Sequence, residues 1–406
     1  MSVGVVRAFY ESHPYPKPLQ NLDRHRELYR DPARRRAWSL LLSPPGKPSA
    51  NREILVAGCG TSQAAVHALR EPGARITAID ISETSLRHTR ELQHKYGLRN
   101  LELHRLAIED VGELGRRFDQ IVCTGVLHHL PDPDIGLRSL CSVLVPDGAM
   151  HLMVYAAYGR AGIYMMQEYC RLLGVGTTEA ELRNLGAAIG ALPADHPIAG
   201  VARRTKDFTY PDALADALLH PQDRAYTVPQ LNAWLQRCGL KFGRWVEQAP
   251  YLPQCGAIAR TPHAARLAAL PPPAQHAAVE LLRGTMTRHS FTAYRNDRAG
   301  ESQPIAFDGD AWRGWVPLHL PWTLCIRDDR VPLGFAAVLI NPTHTYPDLA
   351  LPIDAAQERI FAAIDGNRTI DEILRGHAGS DAQQVRRFIE RLWQYDQIVL
   401  EATSPP

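Results

Sequence analysis

The chain has 406 residues, which is long enough for about two or three domains that each bury a core. Hydrophobic residues make up 45% of the sequence and charged residues 22%, as in ordinary globular proteins. The formal net charge is only +2, which excludes a global electrostatic field that would draw the protein to nucleic acid or to anionic membranes.

The seven cysteines stand singly, without a C-x-x-C pair. They predict neither a zinc knuckle nor a disulfide framework, and they fit a reducing compartment. The N-terminus lacks the long apolar segment of a signal peptide, and the most apolar short run, 333–340, is far too short to span a bilayer. The sequence therefore predicts a soluble, cytoplasmic protein.

Residues 1–50 are polar, rich in arginine and interrupted by prolines, and we expect them to form an N-terminal helical cap. A short amphipathic helix is predicted over "VVRAFYE", and the "HPYPKP" that follows stops it. A second helix is predicted over "RHRELYRDPARRRAWSLLL", with Pro32 near a helix start.

From residue 51 onward, short apolar strands alternate with helices. Five strands are predicted, at "REILVAG", "ARITAID", "NLELHRLAI", "RFDQIVCTG" and "AMHLMVYA". Ser82 is a good N-cap for the helix after the second strand, and Gly97 suits its C-terminus. This alternation predicts an α/β domain with a Rossmann-like, largely parallel sheet that carries helices on both faces.

Residues 156–225 break the alternation and read as a helical insertion after the fifth strand. A T-x-x-Q capping box at Thr227 and Gln230 then opens a further helix. Residues 241–248 and 254–260 read as two more strands, which we expect to form an antiparallel pair and to complete a seven-stranded sheet. The α/β domain is thus predicted to span residues 51–262.

Residues 263–305 are rich in alanine and proline, and we expect a helical linker there. Residues 306–406 combine strand-like runs with three short helices, which indicates a small α+β domain of the winged-helix kind. Capping boxes are predicted at Thr369 with Glu372 and at Ser380 with Gln383. Three roles are open for this domain: a structural extension, dimerisation, or docking of a peptide.

Four features follow the first four predicted strands, at the sheet edge where open α/β sheets bind ligands. They are the turn 58–61, Asp80, the segment 107–109, and "TGVLHHLPDP" at 124–133. A glycine turn with a carboxylate for ribose hydroxyls suits NAD and other adenosyl cofactors alike. Gln63 stands where the dinucleotide motif has its third glycine, and no second mononucleotide-binding half follows, so both points count against NAD.

Taken together, "ILVAGCGTSQ", "ITAIDIS", "RLAIEDV", "FDQIVCTGVLHHLPDP" and "LVPDGAMHLMVY" resemble the motifs of class I S-adenosylmethionine-dependent methyltransferases. The resemblance is strongest to the bacterial branch that combines "AGCGTGQ" with "GVLHH" and an N-terminal "PYP". It covers roughly residues 50–155 and implies a transferase that uses S-adenosylmethionine. Winged-helix domains are similarly appended to other bacterial methyltransferases.

The resemblance also implies roles for individual residues. Asp80 would bind the ribose, and Tyr10 and Tyr15 would belong to a lid over the sulfonium, or would pack the N-terminal helix on the sheet. Many members have an acidic residue where Ala107 stands, so a backbone group or Glu109 would have to accept from the adenine amino group here. The remaining residues implied in cofactor binding are Gly58, Cys59, Gly60, Thr61 and Gln63 in the first motif, Ile81, Ala107 and Ile108 beside the adenine, and Thr124, Gly125 and Val126 on the methionine side.

His128, His129 and Tyr155 are the candidate catalytic residues. Methyl transfer from a sulfonium relies mainly on positioning, and a general base is needed only for a protonated acceptor. An ordinary histidine titrates near pH ~6.5 and suits that task, although one of the pair could instead pack the turn before Pro131. No third ligand is spaced near the histidines, so no metal site is predicted. Tyr158, Arg160, His220, Asp223, Arg224 and Tyr226 are further polar residues expected near the mouth of the site.

The sequence favours a small molecule or a peptide or protein side chain as methyl acceptor, and a homodimer is a candidate assembly. A methyltransferase acting on RNA or DNA remains an alternative, which would need a basic path from Arg30–Arg36 to the site. A module that binds S-adenosylmethionine without catalysis is a second alternative, and an NAD oxidoreductase is a third.

Overall fold

A computed structural model describes residues 3–43, 51–204, 208, 210–298, 305–377 and 381–402. Contacts between its residues divide the chain into two compact units. The first unit comprises Met1–Glu27, Ala50–Phe242 and Glu280–Asp297; the second comprises Leu28–Ser49, Gly243–Val279 and Arg298–Pro406. The chain therefore passes between the units several times.

Sixteen α-helices lie within the described residues. In chain order they are α1 (Val3–Ser12), α2 (Asp23–Leu28), α3 (Pro32–Leu42), α4 (Gln63–Arg70), α5 (Glu83–Tyr96), α6 (Pro133–Val143), α7 (Ala161–Leu173), α8 (Glu179–Gly190), α9 (Pro197–Arg204), α10 (Pro211–Leu219), α11 (Val228–Arg237), α12 (Ala264–Ala268), α13 (Pro272–Arg283), α14 (Ala355–Ala362), α15 (Ile370–Gly376) and α16 (Ala382–Gln394).

The first unit is built on a sheet with eight strands in the described part of the chain. They are β1 (Glu53–Ala57), β2 (Arg75–Asp80), β3 (Leu101–Arg105), β4 (Phe118–Thr124), β5 (Leu144–Ala156), β6 (Ala225–Tyr226), β7 (Leu240–Trp245) and β8 (Arg288–Arg295). Seven of them form the path β3-β2-β1-β4-β5-β8-β7, and β6 pairs with β5. The strands from β3 to β5 pair in parallel, and β8 runs antiparallel to β5.

This order confirms the predicted fold class, a Rossmann-like sheet of the class I methyltransferase type. The strand order reverses its direction between β1 and β4, and the carboxyl ends of these two parallel strands define the ligand-binding edge. The buried side chains of β1, β2 and β4 include Ile54, Val56, Ile76 and Val122, and the alanines of α4 pack with them. The apolar strands therefore form because both of their faces are covered.

Local signals place several elements as predicted. Ser82 accepts a hydrogen bond from the backbone of Ser85 at the start of α5, and Gly97 ends that helix in the left-handed conformation. The capping box of Thr227 with Gln230 is present at α11. The helical insertion is also confirmed, since α7 to α10 lie between β5 and β6.

The predicted antiparallel pair is half wrong. Residues 240–245 form β7, but Gly256–Arg260 form a 3₁₀ turn instead of a strand. The strand beside β7 and β5 is β8, which lies in the segment expected to be a helical linker. Gly256 explains the error in part, because its φ of +67° interrupts an extended backbone.

The second unit contains two small sheets within its described residues. One pairs β9 (Val316–His319) with β13 (Ile398–Glu401), and the other has the order β10 (Leu324–Ile326), β11 (Ala337–Ile340), β12 (Leu351–Ile353). Helix α3 packs against β9 and β13 through a cluster that includes Leu41, Leu318 and Val399. A winged-helix identity for this unit stays a prediction.

The caps of the C-terminal helices are set locally. Thr369 and Glu372 form the expected capping box at α15. At α16 the N-cap is Asp381, which accepts from the backbone of Gln383. Ser380, the predicted cap, lies outside the described residues.

None of the helices in the described ranges combines the length and the apolar character needed to cross a bilayer.

Candidate cofactor and acceptor site

The turn between β1 and α4 is held by the neighbouring strand. The backbone N–H groups of Gly58 and Cys59 both donate to the carbonyl of Ile79, at 2.9 and 3.0 Å. Gly58 and Gly60 have φ values of +65° and +55°, in the left-handed region that favours glycine. A Cβ on Gly58 would come within 2.4 Å of a Val126 methyl group, so a side chain at this position requires Val126 to move.

Asp80 closes β2 and reaches back to this turn. One carboxylate oxygen accepts from the backbone N–H of Gly60 at 2.8 Å, and the other accepts from that of Ser82 at 2.9 Å. Burial raises the pKa of the Asp80 carboxyl, while these backbone donors act in the opposite direction. Each oxygen keeps a lone pair for a further donor, such as a hydroxyl of a ribose.

The N-terminal segment lies directly over the turn. The Thr61 hydroxyl donates to the Pro16 carbonyl at 2.7 Å, and the Tyr15 carbonyl lies 3.3 Å from where a Cβ of Gly60 would stand. Glu11 accepts from the backbone of Glu83, at 2.8 Å, and from the backbone and hydroxyl of Thr84. A carboxylate in this position complements the N-terminus of α5.

The ends of β3 and β4 bring the remaining predicted cofactor residues to the same edge. Gln63 donates to the Thr124 hydroxyl at 2.6 Å, which links the first motif to the fourth. Ala107 precedes a 3₁₀ turn that begins at Ile108, and Ile108 is buried. In that turn the Oε2 atom of Glu109 is buried and has no hydrogen-bond partner among the described residues. The other predicted residues of this edge are Ile81, Gly125 and Val126, and all three are partly buried.

Both histidines of the fourth motif are buried. His128 is fully buried, and its ring packs between those of Tyr155 and His129, with centroids at 3.9 and 4.2 Å. Neither ring nitrogen of His128 has a partner in the described part of the chain. Burial lowers the pKa of both imidazoles, to about 4 for His129. They are therefore neutral at pH 7.

Gln222 determines the tautomers of two imidazoles. Its carbonyl lies 2.7 Å from Nδ1 of His129, and a carbonyl can only accept, so that nitrogen carries the proton. The backbone N–H of Gln222 donates to Nδ1 of His220 at 3.0 Å, so the proton of neutral His220 is on Nε2. The two rings are in contact, with centroids 3.9 Å apart and planes tilted by 39°. The pair thus presents one Nε2 lone pair and one Nε2–H.

Tyr155, at the end of β5, lies beneath a buried ion pair. The Arg160 guanidinium stands 3.4 Å from the centroid of the Tyr155 ring and donates to Asp223 at 2.8 Å. Burial, and then the charge of Asp216, raise the pKa of the Tyr155 hydroxyl well above its ordinary value. Tyr155 therefore stays protonated and is a hydrogen-bond donor at neutral pH.

Helix α10 adds a carboxylate next to the histidines. Asp216 is buried and accepts from the Tyr10 hydroxyl at 3.1 Å. His129, Asp216 and His220 each have one potential metal-ligand atom within 4.8 Å of those of the other two. The sequence predicted no third ligand near the histidines because Asp216 is close to them in space and not along the chain. The hydrogen bond from Gln222 nevertheless places a proton on His220 Nε2, and a protonated nitrogen does not bind a metal ion. The donor set does not fit a metal in this state.

The structure therefore brings the predicted residues together in two adjoining groups. The cofactor group surrounds the turn and Asp80, while the histidines and Tyr155 lie with the insertion. Tyr10 connects them, since its hydroxyl binds Asp216 and its carbonyl accepts from Ser82 at 3.5 Å. Sequence reasoning missed Asp216, Gln222 and Glu11. No local motif marks these residues, because Asp216 and Glu11 bind partners far away along the chain, and Gln222 binds His129, 93 residues before it.

Parts of the chain are similar in sequence to known proteins. Residues 55–150 match a family model described as a methyltransferase domain. An uncharacterized protein of Synechococcus sp. is 36% identical over 253 residues, which are 58% of this chain and 58% of that protein. A ubiquinone biosynthesis O-methyltransferase of Bordetella avium is 32% identical over 101 residues, 24% of this chain and 40% of the enzyme. The matched part of the chain thus spans 58% of the first of these relatives and 40% of the second.

Solved structures extend the similarity to the fold. PKMT2 from Rickettsia typhi superposes with a TM-score of 0.67 at 16% identity, over 96% of this chain and 78% of that one. Its complex with AdoHcy superposes with a TM-score of 0.65 at 17% identity, over 93% of this chain and 76% of that one. The family model identifies residues 55–150 as a methyltransferase domain, and the solved structures show that the chain shares the fold of PKMT2.

Proposed function

We propose that the protein transfers the methyl group of S-adenosylmethionine to a small molecule or to a side chain of a peptide or protein. The observation that carries the proposal is the coupling of Asp80 to the glycine turn at the carboxyl ends of β1 and β2. That arrangement offers a ribose acceptor beside an open backbone turn. The methyltransferase domain match over the same residues supports it.

Under this proposal the cofactor lies along the ligand-binding edge. Asp80 accepts from the ribose hydroxyls, and Ile81, Ala107 and Ile108 contact the adenine. The unpartnered Oε2 of Glu109 supports an acceptor role toward the adenine amino group. The methionine part follows the turn and the end of β4, next to Gly58, Cys59, Gly60, Thr61, Gln63, Thr124, Gly125 and Val126.

Tyr10 and Tyr15 belong to a lid over the sulfonium in this proposal. The docking of the N-terminal segment through Glu11 and Thr61 supports that role. Methyl transfer is an in-line displacement, and its rate depends on holding the acceptor atom opposite the leaving sulfur. His128, His129 and Tyr155 are proposed to line the acceptor side, next to Asp216 and His220.

The first experiment measures cofactor binding by thermal unfolding and by titration calorimetry. S-adenosylhomocysteine at about 100 times its Kd is expected to stabilise the protein by ~2.7 kcal/mol, and NAD is expected to have no effect. Asp80→Asn should weaken binding by roughly 10- to 100-fold, because a hydrogen bond to a charged acceptor is lost. Glu91→Gln is the matched control, since Glu91 is an exposed carboxylate on α5.

The acceptor is then sought by following S-adenosylhomocysteine release with small molecules, peptides and oligonucleotides. Turnover with a small molecule or peptide supports the proposal. Steeply salt-dependent binding and methylation of oligonucleotides would replace it with nucleic-acid methylation. Cofactor binding without turnover on the whole panel would favour a non-catalytic module, and stabilisation by NAD alone would overturn the proposal.

A further inference from the structure

We propose that His129 and His220 form a proton-accepting and hydrogen-bond-donating pair for the methyl acceptor, and that the acceptor is therefore a neutral hydroxyl group. This inference rests on the proposed function and assigns chemistry to its acceptor side. Its central observation is that Gln222 fixes the two neighbouring imidazoles in opposite tautomers.

The Nε2 atoms of His129 and His220, which Gln222 does not bind, differ in protonation. His129 Nε2 has a lone pair, because the proton of that ring is on Nδ1 and binds the Gln222 carbonyl. His220 Nε2 carries a proton, is buried, and finds no partner in the described residues. A buried donor without a partner is costly, so a bound acceptor atom that supplies a lone pair satisfies it.

A hydroxyl oxygen, with one proton and two lone pairs, matches both nitrogens. Its O–H donates to His129 Nε2, one lone pair accepts from His220 Nε2–H, and the other is left to attack the methyl carbon, whereas the single lone pair of an amine cannot do both. A carboxylate has no proton for His129, and a tertiary amine or a thioether has none either. These acceptors would leave the His129 lone pair unused.

The transfer step balances in charge and atoms. A lone pair of the acceptor atom attacks the methyl carbon, and the bond from that carbon to sulfur breaks with its electron pair remaining on sulfur. The positive charge of the sulfonium thereby passes to the acceptor atom, whose proton becomes strongly acidic. That proton moves to His129 Nε2, which yields a neutral methylated product, neutral S-adenosylhomocysteine and an imidazolium at His129.

The environment keeps His129 unprotonated before the reaction. Burial, with a smaller effect from the Arg160 charge, lowers its pKa to about 4, whereas the hydrogen bond to Gln222 acts in the opposite direction. Burial lowers the pKa of His220 to about 3. The other titratable groups near the pair are His128, Tyr10, Tyr155, Asp216, Asp223 and Arg160. A base with this pKa is available throughout the neutral range, and the acidity of the methylated acceptor makes a weak base sufficient.

His128 does not share this role. Neither of its ring nitrogens is fixed by a hydrogen bond among the described residues, and its ring is enclosed by Tyr155 and His129. We therefore assign packing of the turn to His128 and proton transfer to His129. Tyr10 of α1 donates to Asp216, and its ring centroid lies 5.4 Å from that of His220, so α1 lies next to the pair.

The first test determines the tautomers directly in the full-length protein. The chain is labelled with ¹⁵N-histidine, bound to S-adenosylhomocysteine, and studied by long-range ¹H–¹⁵N correlation at pH 7. Signals are assigned by their loss in His129→Ala and His220→Ala. The proposal expects a proton on Nδ1 of His129 and on Nε2 of His220. An Nε2–H tautomer at His129, or an imidazolium at either position, would overturn it.

The second test separates proton transfer from cofactor binding. With any acceptor that is methylated, His129→Ala should lower kcat by roughly 10²- to 10⁴-fold, while the Kd of S-adenosylhomocysteine changes by less than about threefold. His220→Ala should mainly raise the KM of the acceptor, and His220→Gln should restore part of it because its amide supplies an N–H. His94→Ala, at an exposed position of α5, is the matched control.

The pH profile and the acceptor panel complete the test. Activity of the wild type should stay level between pH 8 and about 5.5, whereas an ordinary histidine base would lose activity as the pH falls through ~6.5. Turnover should be restricted to acceptors that carry a hydroxyl group. Unchanged kcat in His129→Ala, or equal turnover of tertiary amines, would refute the pair and leave the proposed function intact. Absence of cofactor binding would instead refute the proposed function.

Discussion

At the scale of single residues, Gly58 combines two constraints that can be separated by mutation. Its φ of +65° disfavours any L side chain, and a Cβ would lie 2.4 Å from one methyl of Val126 and 2.7 Å from the other. A left-handed conformation costs a non-glycine residue about 1–2 kcal/mol. The overlap with Val126 adds a packing cost to that backbone cost.

We predict that Gly58→Ala lowers the free energy of unfolding by more than Gly60→Ala does. Gly60 has a similar φ of +55°, but its Cβ would meet only Pro16 and the Tyr15 carbonyl, at 3.3 Å. Urea unfolding followed by circular dichroism measures both variants. Adding Val126→Ala should recover part of the Gly58→Ala loss and none of the Gly60→Ala loss. Strictly additive effects in the first pair would contradict the overlap.

At the scale of secondary-structure elements, the attachment of α1 to α5 depends on one carboxylate. Glu11 accepts from two backbone N–H groups in the first turn of α5. Ser82, which directly precedes this helix, is its ordinary N-cap. Burial opposes ionisation of Glu11, but the bonds from Thr84 and Glu83 lower its pKa overall. Glu11 therefore acts as an additional N-cap supplied by a remote segment.

We predict that Glu11→Ala speeds hydrogen exchange in α1 and in the first turn of α5 by roughly fivefold or more, since a lost cap costs ~1 kcal/mol. Exchange in the strands of the sheet should not change. Glu91→Ala removes an exposed carboxylate from the same helix and is the control. If both variants exchange alike, the segment is held by other contacts and Glu11 is not its anchor.

The elements that the sequence predicted correctly share a physical feature. The strands β1, β2 and β4 are short runs of mainly buried residues that alternate with helices, and caps such as Ser82 and Thr227 act within four residues of themselves. By contrast, β8 forms a strand because it pairs with β5, a partner that is remote in sequence. Its "RHSFTAYR" does alternate partly, but the neighbouring alanine- and proline-rich composition obscured that signal.

The residues of the site also divide into those that the sequence could predict and those that it could not. The residues of the glycine turn, Asp80 and the paired histidines follow strands directly, so their position at one edge could be predicted. The tautomers of His129 and His220 could not be predicted, because they depend on the backbone of Gln222. Asp216 lies inside the helical insertion, where the sequence carries no motif for a buried carboxylate.

At the scale of the whole molecule, the second unit includes a helix from the N-terminal region. Ala37, Leu41 and Leu42 of α3 are buried in a cluster with Val316 and other apolar residues of the C-terminal part. Arg36, on the same helix, donates to the carbonyl of Gly366 at 2.5 Å and forms an ion pair with Glu401. The C-terminal residues therefore cover an apolar face that belongs to residues before the methyltransferase domain.

We predict that a chain ending at Asp297 does not behave as an isolated methyltransferase domain. Removal of β9 and β13 exposes the leucines of α3, and each fully buried leucine contributes ~1.5–3 kcal/mol through burial. The shortened chain should bind a hydrophobic dye and elute as aggregates in size-exclusion chromatography, whereas the full chain should do neither. Replacing Leu41 and Leu42 by glutamate in the shortened chain should reduce both effects, because it removes the exposed apolar face. A monodisperse shortened chain without dye binding would show that α3 does not need the C-terminal residues.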